Sequence, residues 1–162
     1  MIRLPAVSCS GAPYPAVIVH GAEDARTALC VNLPVTLLSA PGAALYAGCL
    51  WWRELARLAR LEFPAIAIAD ALDCADAAGR ALEAIRIGQQ CLILSPAAPG
   101  FAAVAAIAET RGVCLLRAPP AALDMAGRGA VRRLDAWLRQ DPRHQDHRHQ
   151  DRSHIDRSPP LS

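Results

Sequence analysis

The stretch Leu33–Trp52, LPVTLLSAPGAALYAGCLWW, decides how this chain is read. Val35 to Ser39 has the short, continuously apolar character of a buried strand. Ala40-Pro41-Gly42 follows as a tight turn, and from Ala43 the chain reads as a helix that is apolar on every side. A strand, a turn and a helix in that order form the repeating unit of α/β domains, which place ligands at the strand-to-helix turn.

Outward from this unit the same alternation recurs. Ala16–Val19 reads as a strand ending at His20-Gly21, and Ala22–Val31 as a helix with Glu23 and Asp24 in its first turn, where acidic groups suit the helix dipole. The central helix is expected to run on to Leu61. Past Trp52 it becomes amphipathic, with Arg53, Glu54, Arg57 and Arg60 facing water and Leu55, Leu58 and Leu61 facing the core. Three further strands are expected at Ala65–Ala69, Gln90–Leu94 and Val113–Leu116. Helices are expected at Ala75–Ile87, closed by Gly88, at Phe101–Thr110, stopped by Gly112, and at Ala130–Leu138. Each strand spacing leaves room for one crossover helix, so the strands should lie parallel. The expected fold class is therefore α/β: one three-layer domain of about five mostly parallel strands, doubly wound, flavodoxin-like or Rossmann-like. Residues 1–15, broken by Pro5, Pro13 and Pro15, read as an extended arm; residues 16–138 form the domain; residues 139–162 are a disordered tail built on a pentapeptide repeat.

The totals exclude several functions. The net charge of +2 and an aromatic content of 4% argue against a nucleic-acid partner. All 17 basic residues are Arg, so lysine Schiff-base chemistry and a phosphate-loop lysine have no residue to use. The uncharged run Thr27–Trp52 is long enough to cross a bilayer, but Asn32, Pro34, Pro41 and Gly42 divide it into two short elements, so no membrane partner is expected. The N-terminus lacks the long apolar core of a secretory signal. The six cysteines are scattered without a C-x-x-C pair, most of them in apolar surroundings, which fits buried thiols in a reducing cytoplasm.

Candidate chemistry lies at the carboxyl ends of the strands. Ser39, Ala40 and Gly42, ahead of a helix, can present backbone N–H groups to a small anionic ligand, with Asp70 nearby; equally, the turn can need Pro and Gly only for its geometry. Asp70, Asp73 and Asp76 can act as paired carboxylates, or Asp73 can cap the next helix. Cys74 near a helix start, paired with His20, would make a Cys-His nucleophile. Ser95 and Arg117 complete the polar rim. The four histidines of the tail, His144, His147, His149 and His154, share no helical face and have no cysteine partner, so no metal site is assigned, and no cofactor motif is complete. Trp51 and Trp52 point about 100° apart on a helix, so only one can face the sheet. The other covers a loop or anchors a subunit interface, and the wholly apolar helix around it favours a homodimer.

The segments VTLLSAPGAA, GCLWW and LDCADAAGRALEAIRIG resemble an uncharacterised family of bacterial hypothetical proteins of the kind seen in alphaproteobacteria. The resemblance covers roughly residues 16–120, excludes the tail, and implies no activity, cofactor or site. Two functional readings follow from the residues. One is a small α/β module binding an anionic ligand or a protein partner, as a homodimer. The other is a cytosolic enzyme using His20, Asp70, Asp73 and Cys74.

Overall fold

Short runs of buried aliphatic residues separated by Gly- and Pro-marked turns assemble into a single six-stranded sheet in which every pairing is parallel. The structure, a computed structural model, describes residues 12–140; the proposed N-terminal arm up to residue 11 and the repetitive tail, with its four histidines, lie outside the described residues. The strands are β1 (Ala16–Val19), β2 (Val35–Ser39), β3 (Ile68–Asp73), β4 (Cys91–Ile93), β5 (Cys114–Leu116) and β6 (Ala122–Asp124). The helices are α1 (Ala22–Leu29), α2 (Ala43–Tyr46), α3 (Cys49–Glu62), α4 (Ala78–Arg86), α5 (Phe101–Arg111) and α6 (Ala130–Leu138). The expected α/β class and parallel sheet are present, with a sixth strand added. Among the described residues, no helix is long and apolar enough to cross a membrane.

The strand order is β5-β4-β3-β2-β1-β6. From β1 to β5 the chain steps in one direction, so right-handed crossovers place all the intervening helices on one face. Buried residues of all six helices accordingly share one core with Val17, Val19, Val35, Leu37, Leu72 and Leu92 from alternate strand positions. To reach β6, the chain must return in the opposite direction, and the same handedness then requires the opposite face. Only residues 117–121 make that return. Six Cα steps reach about 22 Å, whereas six flat strands would span about 24 Å, so the sheet must curl. Its inner face holds the second core: Ala16 of β1, Leu38 of β2, Ala71 of β3, Cys91 and Ile93 of β4, and Cys114 and Leu116 of β5, with Ala12 and Ala122 packed against them. The helices lie against one face of the sheet, and on the other face Ala12 packs against the second core.

Two boundaries depart from the sequence reading in ways that matter for the site. The long apolar helix breaks at Gly48, which has φ 91° and ψ 156°, a backbone conformation open essentially to glycine alone. A Cβ at Gly48 would meet nothing within 4 Å, so backbone conformation rather than close helix–sheet packing calls for glycine here. The third strand starts at Ile68 instead of Ala65 and runs through Asp73, which moves Asp70 from the strand end to the strand middle.

The adjacent tryptophans separate as helix geometry requires. Trp52 is 0% exposed and belongs to the helix-side core, while Trp51 is 37% exposed.

Candidate functional site

Strand alternation and register place each candidate. Asp70 lies between Ile68 and Leu72 on the face covered by helices. One carboxylate oxygen accepts hydrogen bonds from Trp52 Nε1 at 3.0 Å and from Gln89 Nε2 at 2.7 Å. The other pairs with the guanidinium of Arg60. Asp70 therefore ties α3 and the approach to β4 onto the centre of β3. It is committed inside the fold and does not belong to the strand-end rim.

Ser39 and Asp73 stand at the strand ends as expected, but they bond to one another's surroundings. The Ser39 hydroxyl accepts the Asp73 N–H at 2.8 Å and donates to the Ala40 carbonyl at 3.2 Å. The Asp73 carboxylate accepts the Gly42 N–H at 3.0 Å and the Ala75 N–H at 2.7 Å. The donor that the Ser39–Gly42 turn would offer to an external anion is thus taken by an internal carboxylate. Asp73 shapes a turn and does not cap α4, which begins only at Ala78 behind Ala77.

That delayed helix start also removes Cys74 from a helix N-terminus. Cys74 is fully buried in the helix-side core. Burial first, then the neighbouring Cys49, Asp73 and Glu83, push its thiol up to about 12. At neutral pH it is a protonated, enclosed thiol, the reverse of an activated nucleophile. The histidine proposed as its partner is bonded elsewhere.

His20 follows β1 on the same side as Ile18, and Asp124 of β6 lies opposite Ile18 in register. The His20 Nε2 and an Asp124 oxygen meet at 2.7 Å, with both side chains partly exposed. That Asp124 oxygen also accepts the Ala126 N–H at 2.9 Å, while the His20 N–H donates to Asp24 at 2.9 Å. β1 and β6 are far apart in sequence and lie side by side at one edge of the sheet, so the His20–Asp124 pair forms only through strand pairing. An imidazole held this way can move a proton through Nδ1. Among the described residues, however, no Ser, Thr or Cys side chain hydrogen-bonds to it, and no group of three potential metal ligands occurs. Asp124 on the ring and Asp24 on the backbone N–H put two carboxylates at this residue, which disfavours a bound anion.

Farther along the rim, Ser95 Oγ accepts the Ala97 N–H at 3.2 Å, and Arg117 lies over the Phe101 ring, 5.5 Å from its centroid. On the inner face, a cavity of about 10 Å³ among Ala12, Thr36, Leu38, Ala71, Cys91 and Leu116 has room for one water molecule at most. The structure therefore does not join His20, Asp70, Asp73 and Cys74 into one constellation.

Asp124 is the residue that the sequence reading missed. Its strand has three residues, too few for a periodic signal, and follows a Pro-Pro pair that reads as a loop. The available cue was the Leu123-Asp124 step before Gly127 and Gly129, where a strand end gives way to a helix start.

Partial burial acts to raise the Asp124 pKa, but the hydrogen bond from His20, the Ala126 N–H and the His20 charge outweigh it and hold the carboxyl below its ordinary value. A depressed carboxyl contributes stability above its unfolded pKa, near 3.9, and loses it as pH falls through the folded value. Asp124→Asn should therefore be less stable than the parent at pH 7, by the ~0.2–1 kcal/mol typical of exposed pairs. Denaturant titrations from pH 6 to pH 2.5 should show the two converging below about pH 4. A gap that widens toward acid would refute the assignment.

Searches with protein-family models and against curated proteins find no match to this chain.

Proposed function

We propose that this protein is a small α/β binding module that works through a protein–protein contact on the α2–α3 surface and self-associates there. One observation carries the reading. Of the eight large apolar side chains exposed among the described residues, six lie on these two helices: Leu45, Tyr46, Leu50, Trp51, Leu58 and Leu61. Scattered exposed apolar residues need no explanation, but a concentration on one surface is characteristic of an interaction site. Trp51 supplies its aromatic anchor, whereas Trp52 belongs to the core.

The ligand-binding alternative draws less support. The Ser39–Gly42 donor is consumed by Asp73, and carboxylates surround His20. The catalytic alternative keeps only His20 of its four residues, now oriented by Asp124.

Sedimentation velocity of the full chain tests the proposal. The parent should sediment above the monomer mass at micromolar concentration. Leu58→Asp, on an exposed position, should return it to monomer while moving thermal stability by no more than about 0.5 kcal/mol. A parent that stays monomeric, with Trp51 equally quenched by acrylamide at every concentration, would remove the self-association reading.

A further inference from the structure

The outward stripe of α3 has an internal symmetry that names its partner. Trp52, Leu55, Ala56 and Ala59 form the buried side of this helix. At 100° per residue, Leu50, Glu54, Arg57 and Leu61 fall within about 60° of one another on the opposite side. Leu50 and Leu61 are 56% and 64% exposed. Glu54 and Arg57 form an exposed bidentate pair at 2.6 and 2.8 Å. The other two arginines of the helix are bonded off the stripe: exposed Arg53 donates to the Ile87 carbonyl at 3.3 Å, and Arg60 pairs with Asp70. Glu54 and Arg57 are thus the charges on the stripe, paired with each other within one chain and exposed enough to exchange that pairing for one across a two-fold axis.

The stripe reads Leu50-x-x-x-Glu54-x-x-Arg57-x-x-x-Leu61, the same spacing from either end with the charges exchanged. A two-fold axis through the midpoint between Leu55 and Ala56 brings Leu50 opposite Leu61 of a second copy and Glu54 opposite Arg57. We infer that the partner on this surface is a second copy of this chain, docked by antiparallel α3–α3 pairing in which each Glu54 meets the other copy's Arg57. The inference rests on the proposed α2–α3 contact and adds its occupant and register. Such a pairing is isologous, the closed form expected of a homodimer. The leucines supply the apolar contact, and the charges select the register, because wrong registers oppose like charges or leave leucines against them.

Charge reversal tests the register in sedimentation equilibrium on the full chain. Glu54→Arg places Arg against Arg twice across the axis, and Arg57→Glu places Glu against Glu. Each single variant should raise the dimer dissociation constant by about tenfold or more. The double variant Glu54→Arg/Arg57→Glu restores the palindrome and should return to within about threefold of the parent. An equimolar mixture of the two single variants should form a heterodimer, since each then carries the charge the other lacks; this rescue also shows that both variants are folded. A dimer insensitive to both reversals would overturn the α3–α3 register while leaving the α2–α3 contact in place. A parent that is monomeric at every concentration would overturn both.

Discussion

Replacing Asp70 by alanine is expected to destabilise the fold by about 3–5 kcal/mol. The carboxylate is bonded to three side chains at once: Trp52 Nε1 and Gln89 Nε2 on one oxygen, and Arg60 on the other. Its removal leaves the guanidinium of Arg60 without its counter-charge, strands the indole N–H of buried Trp52, and leaves Gln89 Nε2 with the Cys91 carbonyl as its remaining acceptor. Such a loss exceeds what an exposed ion pair contributes, because Asp70 is 11% exposed and Trp52 and Gln89 are buried, although the partly exposed Arg60 can still reach water. Asp70→Asn keeps an acceptor for Trp52 and should lose clearly less. Removing both charges, with Asp70→Asn and Arg60→Met together, should recover part of the loss, since no uncompensated charge then remains. Urea denaturation with fitted slopes would provide the comparison. A loss under about 1 kcal/mol for the alanine variant would mean that Asp70 is free for another task, as a functional carboxylate would be.

The second large effect is expected at Asp73. Alanine there should cost about 2–4 kcal/mol, from two hydrogen bonds between a buried carboxylate and backbone N–H groups. Those bonds join Gly42, at the start of α2, to Ala75, whose φ of 50° lies in the left-handed region that an L-residue enters only at a cost of about 1–2 kcal/mol. Ala75 is held from the other side by its carbonyl, which accepts the Ser95 N–H at 2.7 Å. Without Asp73 this strained turn loses one of its two anchors. Asp73→Asn retains an acceptor oxygen and should recover at least half of the loss. Thermal melts would resolve the difference, at about 4 °C per kcal/mol for a domain of this size. If Asp73→Ala melted with the parent, the Ser39–Gly42 turn would be self-supporting, and its donors would again be available to an outside ligand.

The sequence reads both carboxylates as strand-end candidates; Asp73 does end β3, but Asp70 does not, and the reason is physical. Acidic residues after an apolar run look alike whether the strand ends before them or continues through them. A three-residue displacement of β3 turned Asp70 from a rim position to the middle of a strand, facing Trp52. Cys74 was misplaced by the same kind of displacement at α4, where the left-handed Ala75 delays the helix until Ala78. His20 was correctly placed after β1, yet its partner Asp124 is 104 residues away, and only strand pairing brings them together.

The sequence by itself determined the α/β alternation, the parallel sheet, the positions of α1, α5 and α6 to within two residues, and the division of labour between Trp51 and Trp52. These follow from local periodicity, from glycine and proline punctuation, and from the 100° step of a helix, none of which needs distant contacts. The tertiary structure decided the break at Gly48, the placement of β6 beside β1, the curl of the sheet, and the internal use of Asp70, Asp73 and Cys74. Each of these depends on which strands lie side by side, and that is set by long-range packing and crossover handedness, for which a short segment carries no signal. The exposed stripe of α3 lies between the two: its spacing is written in the sequence, but the amphipathic reading puts Leu58 and Leu61 on the core side with Leu55. Only the fold shows that Leu58 is exposed and that Leu50, Glu54, Arg57 and Leu61 face outward.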